Sequence, residues 1–555
     1  MHPEEHVEFK KRSAEKEKEK QTPKRMLKQT TLDSAARPYS RDSEKARGGT
    51  RRVLEFIVMS DLPFNIVENP AFQRLLTYFD PRYRLPGHTY CGETGLSELH
   101  RDVRSRVESL LMESSSSISL TTDIWSSDVS PMSLLSLTAQ WIDPNFKLRA
   151  AVLHAQEFRE SHSAAALVTK YENMLQTWQI PRERVHVVLR DNAANMAKAM
   201  REGGLPTLPC MAHTLQLAIH DGLLAQRMIT DILATGRRII GHFKRSPQAY
   251  CAFHDVQQQL GQNVKKFQQD VTTRWNSSFY MLQSLLEQKR ALAAYGAEHE
   301  VPASFSANQW GLIEHIITIL EPFEELTRAI SSSTASAADV IPSVLALKRF
   351  LSRDAPSDRG VMTAKAELLR AVTRRFDGIE DEPLYSLATL LDPRYKDRCY
   401  SAELKAHTRE QLLELLDAQS VADEVQRPEA SNADEPAEKK ARLGSLSSML
   451  GEIMQEERPQ KATTAMSQLN LYLSEPVILQ DADPLAYWRA NQDRFSALTT
   501  AARAYLSAPC TSVDSERLFS TASNILDAQR SRLSARKVEM LLFVRKNLPL
   551  MLEKA

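Results

Sequence analysis

Ile118-Ser-Leu-Thr-Thr-Asp-Ile-Trp-Ser-Ser127 is the stretch on which the reading of this chain turns. Apolar Ile118 and Leu120 alternate with Ser119 and Thr121. Successive side chains of a strand point to opposite faces, so this spacing predicts a half-buried strand running up to Asp123. Two more β-rich runs follow, 132–143 and 148–158, with Pro144-Asn145 as the turn between them. Three strands this close in sequence form an antiparallel meander. Residues 163–178 have helical spacing. Arg184-Val-His-Val-Val-Leu189 is a fourth strand ending at Arg190-Asp191, a short helix spans 194–202, and Leu208-Pro-Cys-Met-Ala-His213 leads into another helix.

Strand, strand, strand, helix, strand, helix, strand is the order of an RNase H-like sheet. Outward from it the pattern changes. Residues 1–50 are polar and rich in Lys and Arg, with little apolar periodicity, which predicts a disordered basic arm suited to DNA contact or nuclear import. Residues 51–115 carry helical spacing, Val53, Leu54, Ile57 and Val58 and then Leu96, Leu99, Val103, Val107, Leu110 and Leu111, and read as a small helical N-terminal domain. The core's first part covers 116–215. A helical insertion covers 216–464, with amphipathic stretches at 309–330 and 362–376 and a linker at about 419–445 that is rich in Ala, Asp, Glu and Pro and contains Lys439-Lys440-Ala441-Arg442. The last part, 465–555, is apolar and helical and ends in helices at about 513–528 and 535–547, the second with Ser534 as N-cap.

The 555 residues are 42% hydrophobic and 25% charged, an ordinary globular composition longer than one core usually organises. A net charge of +1 confines any nucleic-acid surface to a local patch. No apolar run approaches the roughly 18 residues of a membrane span, and the charged N-terminus is unlike a secretory leader, so no membrane partner is expected. Five scattered cysteines without a Cys-x-x-Cys pair predict reduced thiols and no zinc-finger zinc.

Six blocks carry a resemblance. Leu120-Thr-Thr-Asp-Ile-Trp-Ser-Ser127, Val188-Leu-Arg-Asp-Asn-Ala-Ala-Asn-Met196, Cys210-Met-Ala-His-Thr-Leu-Gln-Leu217, Thr273-Arg-Trp-Asn-Ser-Ser278, Leu391-Asp-Pro-Arg-Tyr-Lys396 and Thr511-Ser-Val-Asp-Ser-Glu-Arg-Leu-Phe-Ser520 occur in the order found in hAT-superfamily DNA transposases. The chain resembles the animal members that carry a BED zinc finger, although the finger's cysteines and histidines are not found in it. The resemblance implies an α/β fold: an RNase H-like core interrupted by a large, mostly α-helical insertion and completed by a helical C-terminal dimerisation region. It implies catalytic, metal-binding carboxylates at Asp123, Asp191 and Glu516, with Mg²⁺ or Mn²⁺ as the cofactor if catalysis is retained. Hard oxygen donors suit such ions, and a metal pair activates a nucleophile and stabilises a leaving oxygen in phosphodiester cleavage.

The resemblance also implies DNA contacts from Arg274 and Trp275, the tryptophan by stacking on an unstacked base, and from Arg517, Arg530 and Arg532 along a channel. Cys210 and His213 lack a second ligand pair and read as structural. Leu518, Phe519, Ile525 and Leu526 on one terminal helix, with Leu541, Leu542 and Val544 on the next, offer more apolar surface than a short segment hides, and are expected to face a second copy. The leading expectation is a nuclear, homodimerising, DNA-associated protein descended from a transposase, domesticated and acting on transcription. An active Mg²⁺-dependent transposase and a SUMO-ligase-like interaction scaffold are the other two readings.

Overall fold

The computed structural model describes residues 37–114, 116–127, 131–353, 361–425, 465–526 and 533–553. They form two compact units that divide after Leu99. The first contains α1 (Glu44–Met59) and α2 (Pro70–Phe79). Helix α1 starts earlier than the expected Arg51, because Ser43 caps it by accepting a bond from the Ala46 amide. Its buried face is Val53, Leu54, Ile57 and Val58, the residues whose spacing predicted it. Helix α3 (Leu96–Glu113) spans the division.

The second unit holds the sheet, made of β1 (Ile118–Thr121), β2 (Ile124–Ser126), β3 (Ser133–Ile142), β4 (Leu148–Glu157), β5 (Val185–Arg190) and β6 (Thr207–Pro209). The strand expected to run to Asp123 is broken: β1 stops at Thr121, and β2 resumes along the same edge of β3. Across the sheet the order is β4, β3, β1 with β2, β5, β6. Strand β3 is antiparallel to β1 and β4, whereas β1, β5 and β6 run parallel. Parallel neighbours need a long crossover, and α4 (Ala164–Thr177) supplies the first. The second passes through α5 (Ala194–Glu202).

Strand β1 is also buried on both faces, not one. Its polar side is covered by helices from the far end of the chain, whose hydroxyls satisfy it. Ser119 pairs with Ser507 at 2.9 Å, and Thr121 with Ser515 at 2.9 Å. The alternation was real, but the Ser and Thr hydroxyls are buried with partners rather than exposed to water.

Helix α6 (Met211–Ile219) follows β6 and opens a helical region in which, among the described residues, no strand occurs. It comprises α7 (Arg227–Arg245), α8 (Pro247–Gln259), α9 (Trp275–Glu287), α10 (Lys289–Glu298), α11 (Ala307–Ile330), α12 (Val340–Ser352), α13 (Met362–Arg375), α14 (Pro383–Leu391) and α15 (Ala402–Val425). The expected linker therefore starts later than 419, since the backbone is helical to Val425; its remainder lies outside the described residues, as does most of the basic arm. The Leu391–Lys396 block is a structural tie. Arg394 bridges Asp392 and Asp339 at 2.6 and 2.9 Å, and buried Lys396 donates to the Tyr472 and Glu475 carbonyls.

The chain returns to the sheet through α16 (Ala465–Ser474), α17 (Pro484–Asn491), α18 (Ser496–Leu506), α19 (Val513–Ile525) and α20 (Ala535–Leu552). Ser534 occupies the N-cap position of α20, but its side chain makes no capping bond. Helices α18 and α19 pack on β3, and α20 on β4. Asn547 of α20 completes the β4 edge: its amide accepts from the Val152 N–H at 2.9 Å and donates to the Val152 carbonyl at 2.7 Å.

This packing corrects the expected dimer face. Leu518, Phe519, Ile525, Leu526, Leu541, Leu542 and Val544 are all buried within one chain. Their apolar surface is used against the sheet and each other, which a reading of the terminal segment alone does not reveal.

Candidate functional site

The strand register places the first two carboxylates. Thr121 of β1 pairs with Leu189 of β5, and the strands are parallel. Asp123 and Asp191 each follow two residues later, at the same level beyond the carboxyl ends of adjacent strands. Ligand sites in open α/β sheets form at such ends. The β1–β2 break sits at Asp123, where the Ile124 amide donates to its Oδ1 at 2.8 Å. Asp191 accepts from the Ala193 amide at 3.2 Å. Glu516 arrives from the first turn of α19, where its negative charge is favoured by the helix dipole.

Burial pushes the Asp123 carboxyl up to about 6, with Asp191 and Glu516 adding repulsion. Two further acidic side chains thus act on Asp123 at this corner. His213, in the first turn of α6, lies beside Glu516: its Nε2 is 3.9 Å from Glu516 Oε1. Its Nδ1 is buried, and the neighbouring Cys210 sulfur pushes the imidazole up to about 9, with Glu516 and Asp123 contributing. Cys210 is held well below the ordinary thiol range by His213, despite burial, and its sulfur accepts the Ser512 amide at 3.3 Å. The Cys-x-x-His block therefore joins the end of β6 to the start of α19. It positions a cationic imidazole beside Glu516.

Asp123, His213 and Glu516 face a cleft of about 880 Å³ whose opposite wall comes from α9 and α11. Asp191 acts on Asp123 but does not line the cleft. Among the described residues, no three His, Cys, Asp or Glu side chains are gathered closely enough to hold a metal ion by themselves.

Arg274, at the N-cap of α9, is exposed and lines the cleft. Trp275 beside it also lines the wall but is only 2% exposed, packed into the core with its N–H backbone group bonded to Gln216. Its ring has no free face, so stacking on a base requires it to leave the core. Arg517 does not itself line the cleft; it donates to the carbonyl of Ser331, which does, at 2.6 Å and ties α19 to the end of α11. Arg530 and Arg532 lie outside the described residues.

Two features of the cleft were missed in the sequence. Trp125, partly exposed, stacks on Phe519 with ring centroids 6.0 Å apart and lines the cleft next to Asp123. Its place in the first block was the available signal. The second is a buried carboxylate on the insertion wall, Glu324, with the more exposed Tyr280 and Arg328 beside it. Spaced i, i+4 on a helix, Glu324 and Arg328 read as an ordinary solvated pair.

Comparison with known proteins gives three family matches in chain order: the ZBED1 RNase-like domain over residues 121–203, the ZBED1 RNase-like helical domain over 208–319, and the hAT family C-terminal dimerisation region over 468–548. The human zinc finger BED domain-containing protein 4 is 29% identical over 90% of this chain and 43% of its own length. A candidate transcriptional regulator of Talaromyces stipitatus, tpeD, is 26% identical over 90% of this chain and 62% of its own. A candidate AC transposase of Zea mays is 22% identical over 88% of this chain and 63% of its own. The chain therefore spans between 43% and 63% of the length of these relatives. Its described residues are mixed α/β, and no described helix is long and apolar enough to cross a membrane. With all three matches in order, this chain is a hAT-type protein, related to hAT transposases and to BED-finger proteins, and it carries the dimerisation region of that family.

Proposed function

We propose that this chain is a transposase-derived, self-associating nuclear protein that holds DNA in the cleft between its sheet and its helical insertion, with the sheet as an RNase H-like core. One observation carries the reading: Asp123 and Glu516 from the sheet side face Arg274 from the insertion across one cleft. Arginine there meets backbone phosphate, which positions a duplex without reading its sequence. The names of the relatives, BED domain proteins and a candidate transcriptional regulator among them, support a nuclear and regulatory role.

A second reading, Mg²⁺- or Mn²⁺-dependent cutting of DNA strands, is favoured by the repulsion that Asp191 and Glu516 exert on the buried Asp123. The donors are hard oxygens, and a divalent cation offsets both the burial and the repulsion that raise Asp123, so the set fits the ion in kind. As they stand the three are not gathered tightly enough to hold an ion alone; Asp123 and Glu516, with Asp191 drawn in by the ion's charge, would hold it together with waters or phosphate oxygens. When bound, such an ion supplies positive charge to the attacking and leaving oxygens of the phosphodiester. Asp123 is held in place by the Ile124 amide, and His213 sits 3.9 Å from Glu516.

The test uses the full chain with nicked and hairpin-ended duplexes. Binding measured by fluorescence anisotropy in EDTA should weaken steeply as salt rises; salt-insensitive or absent binding defeats the DNA reading. With Mg²⁺ or Mn²⁺, nicking that is lost in Asp123→Asn establishes the enzyme. Binding without nicking leaves the regulatory role, and nicking that survives Asp123→Asn removes these carboxylates from the chemistry.

A further inference from the structure

The insertion wall of the cleft carries one arginine whose mounting is unlike that of a surface charge. Arg328, on the last turn of α11, has a side chain 74% exposed, yet it is ion-paired to Glu324, whose side chain is 8% exposed. Tyr280 of α9 donates to the other oxygen of Glu324 at 2.5 Å. Glu324 thus has one oxygen taken from the neighbouring helix and one from Arg328. Arg328 holds its carboxylate well below the usual range. An exposed helical ion pair is worth only a few tenths of a kcal/mol and holds neither partner still. Here the carboxylate is fixed by burial and by a second helix, so the guanidinium swings from a stationary pivot. Arg328, Glu324 and Tyr280 all line the same cleft as Asp123 and Glu516.

That wall is also locked to the carboxylate side. Arg517 and Thr511 donate to the Ser331 and Ile330 carbonyls at 2.6 and 3.3 Å. The end of α11, which bears Arg328, and the start of α19, which bears Glu516, therefore move together. Guanidinium presents five N–H donors, and one carboxylate oxygen does not occupy them all.

We propose that Arg328, mounted on Glu324 and Tyr280, is a phosphate-contacting residue for DNA in the cleft, gripping the backbone on the wall opposite Asp123 and Glu516. The proposal rests on the reading of the cleft as a DNA site and adds a residue that no part of the sequence pattern marks.

Its test is the salt dependence of duplex binding by the full chain in EDTA. Each phosphate contact contributes about 0.9 to the slope of log affinity against log salt, which is about eightfold in affinity at 0.1 M monovalent salt. Arg328→Gln should lower the slope by about that much and weaken binding about eightfold, while Arg328→Lys keeps the slope. Arg370→Gln is the matched control. Arg370 is 70% exposed, likewise paired with a helical glutamate, and lies outside the cleft. Thermal melts of Arg328→Lys and Arg370→Gln should match wild type, while Arg328→Gln should melt slightly lower yet cooperatively, because it leaves the buried Glu324 carboxylate without its cation. An unchanged slope in Arg328→Gln with normal wild-type binding overturns this inference alone. Equal losses in Arg328→Gln and Arg370→Gln overturn it too, by showing a diffuse field rather than a contact. Wild-type protein that binds no DNA overturns the reading of the cleft and this inference with it.

Discussion

Replacing Asp123 with Asn should stabilise the metal-free protein at neutral pH while removing the chemistry proposed for it. The carboxyl is raised from 3.8 to about 6, first by burial and then by Asp191 and Glu516. A folded-state pKa above the unfolded one means that ionisation at pH 7.5 opposes folding. Roughly two units correspond to about 3 kcal/mol, an upper figure because solvent and side-chain relaxation reduce it. Asparagine keeps the shape and the oxygen that accepts the Ile124 amide, but carries no charge. With an unfolding entropy of about 1 kcal/mol/K for a unit of this size, the gain in Tm is about 3 °C. The sign reverses nothing else: an acid raised on folding contributes stability fully below its unfolded pKa and loses it as pH climbs through about 6. The difference between variant and wild type should therefore be small at pH 4, about a fifth of its full size, and full at pH 7.5. Differential scanning fluorimetry in EDTA at the two pH values measures it. A second series with Mn²⁺ should raise the Tm of wild type and not of the variant. A variant that melts below wild type at pH 7.5, or a difference that does not move with pH, refutes the claim that Asp123 is held in a crowded, desolvated acidic corner.

Two stability predictions follow from the packing of the terminal helices. Asn547→Leu leaves the Val152 N–H and carbonyl buried without partners and should cost about 2–4 kcal/mol in urea unfolding, whereas a loss under about 1 kcal/mol shows that water reaches the β4 edge. Leu518→Ala should lower stability by about 2–4 kcal/mol and leave the oligomeric state by light scattering unchanged, because Leu518 is wholly buried in one chain; a stable, well-folded monomer from this variant returns the residue to an intermolecular face.

The sheet was legible because strand signals are local. Alternation at 118–121, the β-branched run at 185–189 and the turn at Pro144-Asn145 each depend on near neighbours, and the observed strands fall within a residue or two of those signals. The break at Asp123 was not legible, since it arises where β2 re-pairs with β3 and not from any breaker residue. The three carboxylates were named from motif resemblance, and the register of β1 against β5 gives a physical reason for two of them. What the sequence concealed was long-range. Nothing near Ser119 or Thr121 announces partners at Ser507 and Ser515, and nothing around Glu324 shows that its carboxylate is buried under Tyr280. The reading of the last helices failed for the same reason: an apolar face tells that it is covered, not by what.

That failure changes what the dimerisation region can be asked to do. The region matched to the hAT dimerisation family begins at residue 468, and its helices contribute within one chain before they contribute between chains. Ser507 and Ser515 satisfy buried hydroxyls of β1, Gln140 of β3 donates to Asp514 at 2.6 Å, and Asn547 finishes β4. Each of these groups becomes a buried, unpaired polar atom, or exposes the sheet, if the region is cut away. The same helix that covers β1 delivers Glu516 to Asp123 and receives the Cys210 sulfur through Ser512. Completing the fold and assembling the site are thus one event, and truncation near Ala508 removes both. Self-association must then use surface that remains after α19 and α20 have docked on the sheet. Variants that separate assembly from folding belong at exposed positions of the region, such as Leu471, Val477 and Leu479, and not in the buried stripe of its last two helices.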